Sequence, residues 1–295
     1  MTPGSLRDLL AMAAPPILQL VERRIEQRGH FTVEHLALDL GGPVPVRALL
    51  SRPNTADKPF PAVLYCHAHG AKYDIGASEL LDGRPSLQSA YGPVLARCDF
   101  VSLSIDMPTF GSRQAPGEDA LSKALLWHGR TLMGQMLGEL LAAFGYLAAR
   151  DDVDAGKIAA IGLSMGATHA YFLGALEPRL NRIAHLCCYA DWQMLVDSGA
   201  HDLHGHYMTI PGLLARTSIG EIAGLAAPKP QLICVGLKDP LTPPAAVAKA
   251  FEETLVSYRR TGAEGNLQLV EDAASGHVET DAMRRAVLHF LEAMR

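Results

Sequence analysis

Short apolar runs without alternation recur along the chain from residue 61 onwards. They lie at 62–66, 100–105, 158–163, 183–189 and 231–236, and a last strand is predicted at 267–272. Such runs are typical of strands that are buried on both faces of a parallel sheet. Segments of helical periodicity separate them, at about 86–98, 120–150, 165–176, 244–261 and 280–294. This alternation predicts an α/β fold with a mostly parallel, doubly wound sheet.

The N-terminal part has a different pattern. Residues 5–28 have the spacing of an amphipathic helix, interrupted near Pro15-Pro16. Residues 31–40 and 44–52 alternate around a Gly41-Gly42-Pro43 turn, which predicts an antiparallel strand pair. Residues 191–228 are irregular, and segments this long are commonly lids or binding segments. We predict a single domain over 1–295, with an N-terminal helical segment (1–29) and a cap insertion (191–228).

Composition narrows the classes of partner. The 295 residues are 48% hydrophobic, and 26 Lys+Arg against 31 Asp+Glu give a net charge of −5, which argues against nucleic acid or an anionic membrane as a partner. Residues 158–176 lack charge, but their glycines and polar residues favour a strand, a turn and a helix over a membrane span. Five cysteines without zinc spacing, and no secretory signal in MTPGSLRDLLAMAAPP, predict a cytoplasmic protein.

A GxSxG sequence lies between a predicted strand and a predicted helix, as Gly162-Leu163-Ser164-Met165-Gly166. A serine hydroxyl must be presented on a sharp turn for a base to reach it, and the following helix N-terminus offers N–H groups to a developing oxyanion. We predict Ser164 as a nucleophile and the backbone N–H of Met165 as an oxyanion donor. The alternative is a glycine-rich turn with an idle serine.

Two further residues follow strands in the order that a serine nucleophile requires in this architecture, first an acid and then a histidine. Asp239 follows the run at 231–236, and His277 follows the last strand. Both are therefore expected at the carboxyl edge of the sheet, where open α/β sheets build their sites. Alternatively, Asp239 is a turn former before Pro240, and His277 is a surface residue at a helix start.

The loop after the strand at 62–66 is expected to supply a second oxyanion donor. If His67 is the strand-end histidine, the donor is the backbone N–H of His69; if His69-Gly70 takes that place, the donor is Ala71. We favour His69, because His67 directly follows the apolar run. A metal held by the two histidines is disfavoured, since no further ligand has a coordinating spacing nearby.

Several residues are candidates to line the substrate pocket. They are His67, Phe110, Trp192, His204, His206 and Tyr207. His201, His204 and His206 lie within six residues, but a zinc site on a cap segment is disfavoured, and a half-buried polar lid is the preferred interpretation. Asp106, at the end of another strand, either holds a loop near the pocket or caps a turn. No metal and no cofactor is predicted.

The runs VLYCHAHG, SIDMPTFGS, DVDAGKIAAIGLSMGA, LICVGLKDPLTPP and ASGHVE together resemble the α/β-hydrolase superfamily, with most likeness to its dienelactone-hydrolase and acetyl-xylan-esterase-like branch, over about residues 30–295. The resemblance implies the α/β-hydrolase fold, with Ser164 as nucleophile, His277 as base, Asp239 as orienting acid and Met165 N–H as oxyanion donor. Dienelactone hydrolases proper use a cysteine where this chain has Ser164. Peptidase relatives carry a β-propeller that this chain lacks.

These observations predict a cytoplasmic serine hydrolase that cleaves carboxylic esters of small or medium substrates through an acyl-enzyme. An acyltransferase with the same three residues and an amide or peptide hydrolase are alternatives, and a non-catalytic binding protein on this fold is the least favoured. The expected partner is a small-molecule acyl substrate, with no nucleic acid and no membrane. For the oligomeric state, a homodimer is considered as well as a monomer.

Overall fold

The computed structural model describes residues 1–55 and 59–295, and the strands of this part form one nine-stranded sheet. The strands are β1 (Gln19–Arg28), β2 (Phe31–Asp39), β3 (Val46–Pro53), β4 (Phe60–Cys66), β5 (Val101–Ile105), β6 (Val153–Leu163), β7 (Arg182–Leu186), β8 (Gln231–Gly236) and β9 (Leu267–Asp272). Their order in the sheet is β1-β2-β3-β5-β4-β6-β7-β8-β9.

The sheet is mixed, with its antiparallel part at the N-terminal edge. Neighbouring strands from β5 to β9 are parallel, whereas β1, β2, β3 and β5 pair antiparallel in turn. The predicted pair is present, with Phe31 opposite Pro53 and Leu38 opposite Val46. The fold class predicted from the apolar runs is confirmed. Because the strands from β4 to β9 are parallel, the loops after them leave the sheet at one edge.

Helices cover both faces of the sheet. They are α1 (Pro3–Leu9), α2 (Glu79–Asp82), α3 (Tyr91–Arg97), α4 (Glu118–Trp127), α5 (Leu132–Ala148), α6 (Met165–Leu176), α7 (Trp192–Ser198), α8 (Ile219–Gly224), α9 (Pro244–Arg260) and α10 (Asp281–Glu292). Every residue of β4 is buried: Leu64 packs with α5 and α6 on one face, and Val63 packs with α3 and α10 on the other. Two cores therefore sandwich the sheet, as the unalternating runs require.

The prediction of a helix over residues 5–28 is wrong beyond its first turns. The chain there forms α1, ends that helix before Pro15-Pro16, and then runs as the edge strand β1, from Gln19 opposite Asp39 to Arg28 opposite Phe31. Nearly all of β1 is exposed, so its few apolar residues do not mark a core-facing helix stripe. Backbone pairing with β2, a tertiary interaction, overrides the local pattern here.

Two other boundaries differ for reasons of backbone geometry. The helix predicted over 120–150 is two helices, α4 and α5, because the chain turns at Gly129 with φ +68°. The strand predicted over 183–189 ends at Leu186, because Cys187 has φ +55° and leaves the sheet.

Residues 191–228, the predicted cap, contain α7, α8 and short 3₁₀ turns rather than a structureless loop. Of these elements, α8 packs against α6 and α9, and the turn at His206–Met208 packs against α4 and α5. None of the helices that the structure describes is long and apolar enough to cross a membrane.

Candidate active site

Ser164 lies at a sharp turn between β6 and α6, with φ +58° and ψ −123°. A non-glycine residue in this region is strained by about 1–3 kcal/mol, so the surroundings must hold it. The Ser164 N–H donates to the carbonyl of Leu186 at 2.8 Å. The flanking glycines are required sterically: a Cβ on Gly162 would lie 2.2 Å from the Gly166 carbonyl carbon, and one on Gly166 would lie 1.9 Å from the Cys66 oxygen.

The structure brings Ser164, His277 and Asp239 together from three loops. His277 Nε2 lies 2.9 Å from Ser164 Oγ, and His277 Nδ1 lies 2.6 Å from Asp239 Oδ2. Asp239 Oδ1 accepts from the Leu241 N–H at 2.9 Å. Because the carboxylate can only accept, Nδ1–H is the donor to Asp239 and Nε2 is free to accept from the serine hydroxyl. Residues arranged in this way can act as a nucleophile, a base and an orienting acid.

Burial differs along these three residues. The side chain of Asp239 is fully buried, Ser164 is 7% exposed, and the side chain of His277 is 25% exposed. The inner carboxylate is therefore shielded from water, whereas the outer ring edge and the hydroxyl remain reachable.

Two backbone N–H groups near Ser164 are candidates to bind an oxyanion. Met165 is the first residue of α6, so its N–H has no partner within the helix. In the loop after β4, Glu79 accepts the Ala68 N–H, at 3.1 and 3.2 Å, and His69 Nδ1 accepts the Ala71 N–H at 3.0 Å. Among the hydrogen bonds of the described residues, the His69 N–H has no acceptor. The geometry therefore occupies Ala71, the alternative donor, and leaves His69 available.

Glu79 and Arg84 hold this loop from beneath. The Glu79 carboxylate, fully buried, accepts from the Tyr65 hydroxyl at 2.7 Å and lies 2.7 Å from Arg84 Nε. Arg84 also donates to the Ala68 carbonyl at 3.3 Å. Burial raises the pKa of Glu79, although the hydrogen bonds and Arg84 oppose it. Both polar groups of the Ala68 backbone are thus bound, which fixes the direction of the next peptide, that of His69.

Glu118, at the start of α4, joins the same loop to the predicted cap. Its Oε2 accepts from His69 Nε2–H at 2.8 Å and from the Tyr73 hydroxyl at 2.8 Å, and its Oε1 accepts from the Tyr207 N–H at 3.0 Å. Burial would raise the pKa of Glu118, but these hydrogen bonds outweigh it and hold the pKa below its usual range. The carboxylate therefore clamps three segments that are distant in sequence.

The predicted pocket residues His67 and Phe110 lie in the packing around this loop. His67 is fully buried; its Nδ1–H donates to the Ala68 carbonyl at 3.1 Å, and its Nε2 accepts from the Met107 N–H at 3.2 Å. Burial lowers the pKa of His67 to about 4, so the ring is neutral. Phe110, also buried, packs its ring 5.1 Å from that of His67. Both side chains pack beneath the loop after β4 and support its conformation.

The predicted cap residues have distinct contacts. Tyr207 is buried with its ring 5.9 Å from that of His69, and His204 Nε2–H donates to the Leu241 carbonyl at 3.0 Å. Burial lowers the pKa of His204. His206 is exposed, 3.3 Å from Asp119. Tyr207 and His204 thus touch the loop after β4 and the loop of Asp239, respectively.

Trp192 and the third cap histidine have contacts of their own. Trp192 is buried and packs on Phe172 of α6, with their ring centroids 6.4 Å apart. His201 contacts the Leu195 carbonyl. Within residues 1–55 and 59–295, no three His, Cys, Asp or Glu side chains form a group that could hold a metal ion.

Asp106 joins the loop that follows it to two other segments of the chain. Its carboxylate accepts from Arg47 at 2.9 and 3.0 Å, from the Ala77 N–H at 2.7 Å and from the Ser112 N–H at 2.7 Å. Burial would raise the pKa of Asp106, but Arg47 and the two backbone donors hold it below its usual range. Of the two alternatives for this residue, the structure therefore favours the loop-holding one.

The sequence analysis missed Glu79, Arg84, Glu118 and Glu279. Glu279, two residues after His277, accepts from the Gln88 N–H at 3.0 Å and from Arg284 at 2.7 Å. The one signal in the sequence for Glu118 is its place as an acid near the start of a predicted helix, and this is a usual feature of helices. The partners of these carboxylates lie up to 191 positions away, so no local pattern could identify them.

Comparison with known proteins finds a relative by sequence and several by fold. No protein-family model matches the chain. Over 270 residues the chain is 36% identical to the Bacillus subtilis (strain 168) protein named "Putative hydrolase YtaP", which covers 91% of this chain and 90% of that protein.

Solved structures resemble the chain in fold at low sequence identity. A glucuronoyl esterase from Solibacter usitatus has a TM-score of 0.72 at 15% identity, covering 97% of this chain and 91% of its own. A Bacteroides fragilis protein described as a "putative acetyl xylan esterase" has a TM-score of 0.71 at 16% identity, covering 91% of this chain and 73% of its own.

Proposed function

Because the chain belongs to the α/β-hydrolase superfamily, we propose that it is a serine hydrolase that cleaves carboxylic esters of small or medium substrates through an acyl-enzyme. One observation carries the proposal: Ser164 Oγ, His277 and Asp239 form a continuous hydrogen-bonded chain, at 2.9 and 2.6 Å. A serine hydroxyl alone is a weak nucleophile. These hydrogen bonds give it a base within reach and an acid that orients the base.

In the first half of the reaction, Ser164 Oγ attacks the ester carbonyl carbon while its proton passes to His277 Nε2. Asp239 keeps Nδ1 protonated and stabilises the imidazolium that forms. The negative charge on the former carbonyl oxygen is met by the N–H groups of Met165 and His69. One such donor contributes about 10²–10³-fold to kcat in hydrolases of this kind. The tetrahedral intermediate then loses the alcohol, which takes the proton from His277.

In the second half, a water molecule takes the place of the alcohol. His277 Nε2 accepts a proton from the water, whose oxygen attacks the acyl carbon, and the bond to Ser164 Oγ breaks as the serine regains a proton. The exposed edge of His277 supports this role, because water can reach it without rearrangement of the protein. An alcohol in place of this water would give acyl transfer instead.

Labelling with a fluorophosphonate tests the nucleophile. Wild-type protein should become labelled at Ser164, and Ser164→Ala should lose both labelling and ester turnover while keeping its melting temperature. The Ser102→Ala variant, on buried β5, is a matched serine control and should label normally. Absence of labelling in folded wild-type protein would overturn the proposal.

A substrate panel defines the ester. Because the fold relatives include a glucuronoyl esterase and an acetyl xylan esterase, the panel should hold methyl glucuronate and acetylated sugars beside p-nitrophenyl esters of graded length. A sugar is in the acyl part of the first and in the alcohol part of the second, so the two outcomes locate the sugar relative to Ser164. Turnover that depends on an added alcohol or amine acceptor would indicate an acyltransferase.

The proposed setting is the cytoplasm, with a small-molecule substrate and no bound cofactor. Five cysteines stay free thiols in the described part of the chain, and Cys98 is the one among them that is partly exposed. Free thiols are usual in a reducing compartment, which supports this setting. Secretion of the intact protein into an oxidising compartment, found by cell fractionation, would contradict it.

A further inference from the structure

The strand β1 has an open edge. It pairs with β2 on one side, and in the described residues no other strand lies on its second side. An open strand edge presents unpaired N–H and C=O groups that can receive another strand. The apolar residues Ile17, Leu20, Val21 and Ile25 are all exposed on or just before β1, although large apolar side chains are ordinarily covered.

The regular part of β1 is centred on Ile25. The register with β2 shifts between Leu20 and Glu22, and from Glu22 to Arg28 the pairing runs without interruption. Because strand residues alternate between faces, Glu22, Arg24, Glu26 and Arg28 all lie on one face. The charges along this face therefore alternate in sign. Each charged residue has the opposite sign to the one equally far on the other side of Ile25.

This order is complementary to itself in one antiparallel register. If Ile25 lies opposite Ile25 of a second copy, Glu22 lies opposite Arg28 and Arg24 opposite Glu26, and the two-fold axis repeats both pairs. A register displaced by two residues in either direction places Arg24 opposite Arg24, or Glu26 opposite Glu26. A displacement by four residues keeps only Glu22 opposite Arg24, or only Glu26 opposite Arg28. The charge order therefore favours the alignment centred on Ile25, which forms both kinds of pair.

Two of the four charges, those of Glu22 and Arg24, are little used by the ion pairs already present within the chain. The pair of Arg24 with Glu26 in the same chain is long, at 3.9 Å, and the Arg24 side chain is 62% exposed. Glu22 has no cationic partner among the described residues. Glu26 is held by Arg28 at 2.6 Å and by His35 at 2.8 Å, which orders the carboxylate at the edge.

We propose that two copies of this chain associate through β1, antiparallel about a two-fold axis at Ile25, so that their sheets join into one. The contact is isologous and closes after two copies, because each β1 edge is then occupied. Its ion pairs are exposed, so the association weakens as salt screens them. This proposal is independent of the proposed function, since β1 lies outside the site.

Charge reversal tests the register. Sedimentation velocity should find wild-type dimer, and R24E alone or E26R alone should shift the protein to monomer, because each places like charges opposite one another. An equimolar mixture of R24E and E26R should restore dimer as a heterodimer, since the R24E chain is acidic at positions 24 and 26 and the E26R chain is basic at both. Arg260→Glu, on the opposite side of the sheet order, is the charge-matched control and should stay dimeric.

A cysteine at the axis provides a second measurement. In a Cys98→Ser background, Ile25→Cys should form an intermolecular disulfide under mild oxidation, because directly opposed residues have Cα atoms about 4.5–5.5 Å apart. Gln27→Cys should not, since the two copies of residue 27 are offset by four positions, about 13 Å. The melting temperatures of these variants should equal that of wild type, which establishes that they are folded.

The outcomes separate the possibilities. Monomeric wild-type protein at all concentrations, or a dimer that neither R24E nor E26R weakens, would overturn the proposal. A dimer that is lost in both single variants but not regained in their mixture would also overturn it, because the register requires the exchange of charges. Cross-linking of Gln27→Cys in preference to Ile25→Cys would show a different alignment.

Discussion

Replacing Glu118 by alanine should lower stability and should loosen the loop after β4, which carries the proposed donor His69 and is called the oxyanion loop below. The carboxylate, 4% exposed, accepts three hydrogen bonds, from His69, Tyr73 and the Tyr207 N–H. Hydrogen bonds to a charged group contribute about 1.5–3 kcal/mol each, and a buried donor left unpaired costs about 1–3 kcal/mol. Water can reach the partly exposed Tyr73 hydroxyl, so we expect a loss of about 3 kcal/mol in the free energy of unfolding.

The catalytic effect follows from the His69 ring. Its Nε2–H is anchored by Glu118 and its Nδ1 by the Ala71 N–H, so loss of Glu118 frees the residue whose N–H is the proposed oxyanion donor. If that donor is misplaced, kcat should fall by about 10²–10³-fold with a smaller change in KM. Glu118→Gln should be milder in kcat, because its amide oxygen can still accept from His69 and Tyr73, while its NH₂ group then faces the Tyr207 N–H.

The assays are urea unfolding and steady-state kinetics on a p-nitrophenyl ester, with Asp119→Asn as the neighbouring exposed control. We expect kcat to be highest in Asp119→Asn, lower in Glu118→Gln and lowest in Glu118→Ala. An alanine variant that loses stability but keeps kcat would refute the link between the clamp and the oxyanion loop. Equal loss of kcat in Gln and Ala variants would show that the negative charge, rather than the anchored ring, is responsible.

Three other predictions follow from particular contacts. Gly166→Ala should abolish folding or labelling, because its Cβ would lie 1.9 Å from a backbone oxygen, whereas Gly138→Ala, whose Cβ meets nothing within 4 Å, should keep expression and melting temperature. Asp239→Asn should lower kcat by about 10⁴-fold with little change in KM, since an amide does not hold the reactive tautomer of the base; wild-type kcat would refute that role. Burial lowers the pKa of His185 to about 3, against about 6.5 unfolded, so the unfolded chain takes up the proton as pH falls below 6.5 and stability declines by up to about 1.4 kcal/mol per pH unit. Urea unfolding between pH 4 and 6 should show a shallower decline for His185→Phe, and an unchanged slope would contradict this.

The parallel part of the sheet could be predicted because its signal is local and strong. β8 and β9 have the predicted bounds, as does α6, because buried strands must be apolar on both faces and the elbow glycines leave few choices. β1 could not be predicted, since its residues are exposed and nothing in 19–28 marks a strand except the neighbour it pairs with. An edge strand is defined by its partner.

In the candidate site, too, some residues could be predicted from the sequence and others could not. Ser164, Asp239 and His277 could be proposed from chain order, because parallel strands deliver the loops after them to one edge. The choice between His69 and Ala71 as donor could not, since it depends on which N–H the side chains of Glu79 and His69 occupy. The packing of Trp192 on Phe172 of α6 could not be predicted either, since the two residues meet only in the tertiary structure.

The sequence by itself determined the strand–turn–helix at Ser164, the order of the three residues and the alternation of layers, because each depends on steric and periodic properties of neighbouring residues. Only the tertiary structure decided which carboxylates hold the oxyanion loop, how the segment 191–228 reaches Glu118 and Leu241, and that β1 leaves an open edge. These depend on contacts between residues far apart in the chain. Their energies exist only once the sheet has brought them together.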